Sequence, residues 1–344
     1  MKIAFVNGVN SDIDSSRGIG VNTNMLIESL KNLRSNKLEI VDSTNKANIT
    51  HYTKFHPFFV SLPFTKPSKK VVLTIHDLIP LIYPKHYPPG IRGSVNFLIN
   101  RFLIWKNVDE IITISETSKK DICRFLHIDP KKVHVIYLAS KDEYKPINNQ
   151  KFLDEIKKKY NLPKSFAFYF GDINYNKNIP TLVKACADLK LPLVIGGKQA
   201  KELESMDLNH PENLHLKNIY KDMIDDKKVL RLGYISDEEA NAVYNLALVC
   251  VQPSFYEGFG LSVIHAFAAG CPVVAAKTQV LVEIGDGACL FADPNSPKDM
   301  AEKISQVVNN KSIREGLIKK GYTLVKKFSW EKTAKETLEV YAHI

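Results

Sequence analysis

At 344 residues the chain exceeds what one hydrophobic core usually serves, so two domains of ordinary size are expected. A composition of 44% hydrophobic, 24% charged and 10% aromatic residues excludes collagen-like, low-complexity and disordered classes. The net charge of +10 is uneven, since residues 1–150 hold 21 basic and 13 acidic side chains whereas residues 151–344 hold 26 and 24. A positive half attracts phosphates, nucleic acid or an anionic membrane face, or is simply a lysine-rich solvated surface. No RNP-like, zinc-finger or helix-turn-helix pattern points to nucleic acid. No apolar run approaches the roughly eighteen residues that span a bilayer, and Lys2, Asn7 and Asn10 leave no signal-peptide core, so a cytoplasmic protein is expected. Cys123, Cys186, Cys250, Cys271 and Cys289 lack a C-x-x-C pair, and most sit in apolar runs as small hydrophobes rather than as disulfide or zinc partners.

In chain order, Lys2–Asn7 reads as a first strand, followed by a polar loop to Arg17 and by Gly18-Ile19-Gly20 opening a helix. Glycines there let a ligand approach the backbone, and the amides of a helix start attract an anion. A tight strand-to-helix turn explains them equally, because Thr23 replaces the third glycine of a G-x-G-x-x-G fingerprint. Asp12-Ile-Asp14 matches a metal pattern by letter but lies in a Ser-rich loop and reads as hydrophilic surface. His51, His56 and His86 show no ligand spacing, so no metal is expected. Further strands are predicted at Leu38–Val41, Val71–Ile75, Glu110–Ile114 and Val133–Leu138. His76 and Asp77 end the strand Val71–Ile75, where an open α/β sheet builds its sites. The segment Ile91–Val108 carries Val95, Phe97, Leu98, Phe102, Leu103 and Trp105 with Arg92, Arg101 and Lys106, which suits either an anionic membrane face or a helix buried on the first sheet.

A polar, lysine-rich stretch, Ser140–Lys164, marks the boundary, giving domains 1–160 and 161–328. Strands at Phe166–Phe170, Pro192–Ile195, Leu246–Gln252, Pro272–Ala275 and Cys289–Ala292 build the second domain. Apolar on both faces and separated by helices, these runs predict two doubly wound, Rossmann-like α/β domains facing across a cleft at the strands' carboxyl ends. Lys177, after Gly171, is a point charge suited to a phosphate that gains negative charge. Glu257 precedes Gly258-Phe259-Gly260-Leu261, whose backbone can curl so that its amides point at one anion at a helix start. His265 lies further along that helix. Ser329 and Glu331 open a last helix, Trp330–Tyr341.

Taken together, Glu257-Gly-Phe-Gly-Leu with Ala266-Phe-Ala-Ala-Gly-Cys-Pro-Val-Val, Lys177-Asn178 after Gly171, His76-Asp77-Leu-Ile-Pro80, Ile114-Ser-Glu-Thr-Ser118 and Ser329-Trp-Glu-Lys-Thr-Ala resemble the GT4 family of retaining glycosyltransferases, with the GT-B fold. The resemblance runs from Lys2 to Tyr341. It implies a carboxyl-terminal domain that binds a nucleotide-sugar, an amino-terminal domain that binds the acceptor, and a helix over 329–344 returning to the first domain. It places Gly20 near the donor phosphates, His76 near the transferred sugar, Lys177 on the diphosphate, Glu257 on sugar hydroxyls and the amides of Phe259 to Leu261 on the distal phosphate. No metal or other cofactor is implied.

Two departures stand out. The family's second Glu, which grips ribose hydroxyls, is here His265, and the family's Arg near the lysine is absent, Asp172 and Asn176 standing in its places. Imidazole still offers a ribose hydrogen bond but not a two-point anionic acceptor. Arg17 is the candidate to supply the missing phosphate contact. The expected function is transfer of a hexose to a hydroxyl of a glycan or lipid-linked acceptor in surface polysaccharide synthesis. The His76–Pro80 stretch is similar to bacterial mannosyl- and rhamnosyltransferases and favours GDP-mannose over UDP-hexoses. The alternatives are a nucleotide-sugar-binding or regulatory subunit without transfer, and a nucleotide-sugar epimerase. No second carboxylate is placed to pair with Glu257 for glycoside hydrolysis. The basic first domain adds the expectation of peripheral contact at the inner face of a membrane.

Overall fold

A computed structural model of the chain describes residues 1–6, 18–33 and 38–344, so Asp12, Asp14 and Arg17 lie outside the described residues. The chain forms two compact units, Met1–Ala139 with Phe328–Ile344, and Ser140–Lys327.

The first unit holds strands β1 (Lys2–Val6), β2 (Glu39–Val41), β3 (Ile49–Tyr52), β4 (Lys70–Thr74), β5 (Glu110–Thr113) and β6 (Val133–Val135). They form one sheet in the order β2-β1-β3-β4-β5-β6, with every pairing parallel. A parallel sheet must be covered on both faces, and the period of two along β4 does this. Val71 and Leu73 join a cluster with Leu103, Ile104 and Ile122, whereas Val72 joins one with Ile3, Leu30, Ile112 and Tyr341. The helices supplying those side chains are α1 (Gly18–Asn32), α2 (Gly90–Asn107), α3 (Glu116–Leu126) and the last helix of the chain, Trp330–His343. That last helix is capped by Ser329, whose Oγ accepts from the Lys332 amide at 3.1 Å, and it packs on α1.

The second unit holds β7 (Ala167–Phe170), β8 (Leu193–Gly196), β9 (Val229–Gly233), β10 (Val249–Gln252), β11 (Val273–Ala276) and β12 (Cys289–Ala292). Its order is β9-β8-β7-β10-β11-β12, all parallel. The order reverses between β7 and β10, and the loops after those two strands are where such a sheet binds ligands. The helices used below are α4 (Gln150–Lys159), α5 (Ile179–Asp188), α6 (Asp237–Leu246), α7 (Leu261–Ala269), α8 (Gln279–Gly285), α9 (Pro297–Asn309) and α10 (Lys311–Val325), which makes the returning helix α11.

The structure corrects the sequence reading in two respects. The expected boundary at 160/161 falls instead at 139/140, because Ser140–Tyr160 is fastened to the second unit. The amides of Lys145 and Ile147 donate to Asn241 and Asn245 of α6 at 3.1 and 2.9 Å, and α4 packs on the same helix. Strands β3 and β9 were not expected. Thr50 and His51 give β3 a polar look, yet both are fully buried, and Arg231 interrupts the apolar run of β9.

Candidate active site

Lys177 and Glu257 meet at the strand-order reversal of the second unit. The loop after β7 carries Lys177 at the end of a short helical turn, Tyr175–Lys177, and the loop after β10 carries Glu257. Lys177 Nζ donates to both carboxylate oxygens of Glu257 at 2.8 Å. Gln252 Nε2 and Ser254 Oγ each donate to Glu257 Oε1 at 2.7 Å, so a nearly buried carboxylate has a cation and two neutral donors. A buried ion pair persists only when its remaining lone pairs are satisfied in this way.

The two loops are joined by asparagines. Asn176 Nδ2 donates to Tyr256 O at 3.0 Å and Asn176 O accepts from the Phe255 amide at 2.8 Å. Asn178, in the left-handed region at φ 54°, donates from Nδ2 to Pro253 O at 2.9 Å and Pro294 O at 2.8 Å. Asn176, one of the positions where the resemblance led us to look for an arginine, thus has a structural use. Gln252 and Ser254 escaped the sequence reading, which noted Asn176 and Asn178 as motif positions without a role. The signal that could have found the first two is a pair of polar residues closing an apolar strand.

Glycines set the surrounding backbone. Gly260 is the N-cap of α7 at φ 101°, and a Cβ there would lie 2.7 Å from Ile284 Cδ1. With that residue held in the left-handed region, the chain enters α7 directly from the Gly258-Phe259-Gly260 turn. Leu261 and Ser262 open the helix at its positive end. Ser262 Oγ donates to Phe170 O at 2.8 Å, tying that start to the end of β7. Behind it, Gly171 donates its amide to Gly196 O at 2.9 Å. A side chain on neighbouring Gly197 would meet Gly171 O at 2.2 Å.

His265, one helical turn into α7, is engaged inside its own unit. Its Nδ1 lies 3.0 Å from Ser140 Oγ, and its ring stacks on Tyr144 with centroids 3.8 Å apart and planes 8° from parallel. Tyr144 in turn donates to Asp237 at 2.8 Å, which also accepts from Lys141 at 2.6 Å. Burial, helped by the Lys141 charge, pushes the His265 imidazole down to about 3, so it is neutral near pH 7. Ser140 and Tyr144 could not be paired with it from sequence, being far away along the chain.

Gly20 and His76 belong to the first unit. Gly20 is buried in the first turn of α1. His76 follows β4, and burial holds its imidazole down to about 4. Nearby, His51 Nδ1 lies 2.6 Å from Tyr341 Oη and Nε2 2.7 Å from Thr74 Oγ1; burial and the His76 charge push it down to about 3. His76 and Trp330 line one cavity of about 30 Å³ with Asn22, Thr53, Thr74 and Thr333. Among the described residues neither His76 Nδ1 nor Trp330 Nε1 has a hydrogen-bond partner. No group of three or more His, Cys, Asp and Glu side chains among the described residues is placed to hold a metal ion.

Two doubly wound parallel sheets, with a chain that passes from the first to the second and returns to the first, define a fold of the GT-B type, and the lysine–carboxylate pair and glycine-capped helix start lie at the switch point of its second sheet. The chain belongs to the glycosyl transferases group 1, whose family model matches residues 150–324, and the Glycosyltransferase Family 4 model matches residues 20–139. It is 27% identical over 282 residues to O-antigen chain mannosyltransferase B of Escherichia coli, covering 79% of this chain and 70% of that one. It is 26% identical over 297 residues to the serotype-specific mannosyltransferase WbdA of Escherichia coli, covering 83% of this chain but spanning only 35% of that protein's length. Among solved structures, sucrose-phosphate synthase from Thermosynechococcus elongatus superposes with a TM-score of 0.75 at 18% identity, covering 99% of this chain and 98% of that one. HepE of Anabaena in complex with UDP-glucose superposes with a TM-score of 0.75 at 14% identity, covering both chains completely. At such identities the structural likeness speaks for the fold.

Proposed function

We propose that this glycosyltransferase moves a hexose, with mannose preferred, from a nucleotide-sugar to a hydroxyl of a glycan or lipid-linked acceptor, with retention at the anomeric carbon and without a metal. The observation that carries the reading is the Lys177–Glu257 pair beside the glycine-capped start of α7. In this reading an incoming donor exchanges the internal ion pair for its own groups. The diphosphate takes the Lys177 ammonium and the α7 amides, and Glu257, still held by Gln252 and Ser254, accepts from sugar hydroxyls. As the bond from the anomeric carbon to the phosphate oxygen breaks, the electron pair goes to the diphosphate, where fixed cationic and amide donors stabilise it. One such donor contributes about 3 kcal/mol to barrier lowering. The acceptor hydroxyl attacks from the face that the diphosphate leaves, and its proton passes to the departing phosphate oxygen.

The acceptor role of the first unit, with His76 neutral and able to hydrogen-bond a sugar hydroxyl, is part of the same proposal. The mannose preference draws on the mannosyltransferases among the relatives, whereas HepE holds UDP-glucose, so the donor base is the point to test. Incubation with GDP-mannose and UDP-glucose in parallel, with and without chelator, should show faster release of GDP from GDP-mannose than of UDP from UDP-glucose, indifferent to chelation. The anomeric coupling constants of the product report retention. A second reading, a binding subunit without transfer, is favoured by the engagement of His265 with Ser140 and Tyr144. It predicts donor binding with no turnover of either nucleotide-sugar.

A further inference from the structure

We infer that α2 is a docking face for an anionic phospholipid bilayer. Ile91, Val95, Leu98, Phe102 and Trp105 are all exposed, Ile91 by 89% and Trp105 by 77%. At 100° per residue these five fall within one sector about 80° wide, so the helix turns its most apolar stripe outward. Its inward face packs Leu103 and Ile104 on the core of the first sheet and sets two buried asparagines beside them. Asn100 is fully buried and donates to the carbonyls of His56, Pro57 and Phe59 at 3.2, 3.1 and 2.8 Å, and Asn107 donates to Pro63 O at 2.9 Å. These bonds clamp residues 56–64 alongside the helix, where Phe59 and Phe64 are also exposed.

Charge selects the occupant. Residues 54–108 contain eight basic side chains and one acidic residue, Asp77; Lys66 and Lys70 are engaged by Asp109 at 2.6 and 3.6 Å, which leaves Arg92, Arg101 and Lys106 of the helix itself as the cations beside the stripe. Arg92 and Lys106 fall on one side of the stripe and Arg101 on the other, and Lys106 Nζ sits 5.9 Å from the Phe102 ring centroid. An apolar stripe with a tryptophan, rimmed by cations, matches the boundary between acyl chains and anionic headgroups. A second copy of this chain fits poorly, because a two-fold contact would set those cations against their own copies. Among the described residues no helix is long and apolar enough to cross a membrane, so the contact is a peripheral one.

The test is co-sedimentation of the full chain, without donor, on vesicles of phosphatidylcholine alone and of phosphatidylcholine with phosphatidylglycerol. Binding should need phosphatidylglycerol and weaken with salt. Trp105 and Trp330 are the chain's two tryptophans and Trp330 is buried, so a shift of emission to shorter wavelength on binding reports Trp105. The L98E/W105E variant should lose at least about tenfold in partitioning, since two apolar anchors leave the interface. R92E/K106E should lose the lipid-charge preference, and both variants should keep donor turnover with a water-soluble acceptor. The inference is overturned by binding indifferent to lipid charge and salt, by no binding, or by a concentration-dependent dimer in solution that L98E/W105E abolishes.

Discussion

In the second unit the strands flanking the order reversal, β7 and β10, end in loops that close on each other through a full ion pair, Lys177 with Glu257, backed by amide and hydroxyl donors. In the first unit the reversal lies between β1 and β3, and the polar groups that the sheet buries near its strand ends are uncharged: His51 between Tyr341 and Thr74, then His76. One layered architecture therefore carries two electrostatic designs. Fixed charges suit a ligand that arrives and departs as an anion, and neutral imidazoles suit hydroxyl groups, which a charged residue would desolvate at greater cost.

That contrast can be attacked at several points. Lys177→Ala should lower turnover by about 10²–10³-fold and, by leaving Glu257 buried without a cation, should destabilise the second unit by about 3 kcal/mol. Adding Glu257→Gln should restore much of the stability but none of the turnover, as thermal melts and steady-state rates would show. Near-normal turnover of the single variant removes Lys177 from catalysis. Gly260→Ala forces a side chain into the left-handed region and against Ile284, at a cost of about 2–3 kcal/mol, and should weaken donor binding in calorimetry by tilting the start of α7. An unchanged melt and unchanged affinity would mean that the turn is not a rigid part of the site.

The mildest probe is pH. His51, His76 and His265 have their imidazole values pushed from the usual 6.5 to about 3, 4 and 3 by burial. Between those limits the unfolded chain binds more protons than the folded one. Their contribution is complete above pH 6.5 and declines as pH falls toward 4, with a slope of at most about 1.4 kcal/mol per pH unit for each group. Two of the three lie in the first unit, so hydrogen exchange at pH 5 should show that unit opening first. Equal loss in both units would contradict the assignment of buried neutral imidazoles.

Much of this was readable in advance, and the gaps have physical causes. Runs such as Val71-Val72-Leu73 announce a strand covered on both faces, and Lys177 and Glu257 stood out as charges at strand ends beside glycines. β3 stayed hidden because Thr50 and His51 are polar yet buried, their hydroxyl and ring nitrogens satisfied by Ser68, Tyr341 and Thr74. The asparagine clamps, and the stacking of Tyr144 on His265, join segments distant in sequence and leave no local periodicity. For α2 the helical spacing was evident, but the helix is apolar on two faces, Leu103 and Ile104 packing inward beside Asn100 while Leu98 and Trp105 stay exposed, so spacing alone does not say which face points inward.

The chain enters the second unit after Ala139 and re-enters the first at Phe328. Ala334, Val340 and Tyr341 of α11 complete a cluster with Ile3, Ile49 and Val72, so the first unit lacks part of its interior until the ribosome has finished the second. During synthesis the later-coded unit is thus the one able to mature independently, while the earlier-coded one waits with an uncovered sheet, the period in which a chaperone would be needed most.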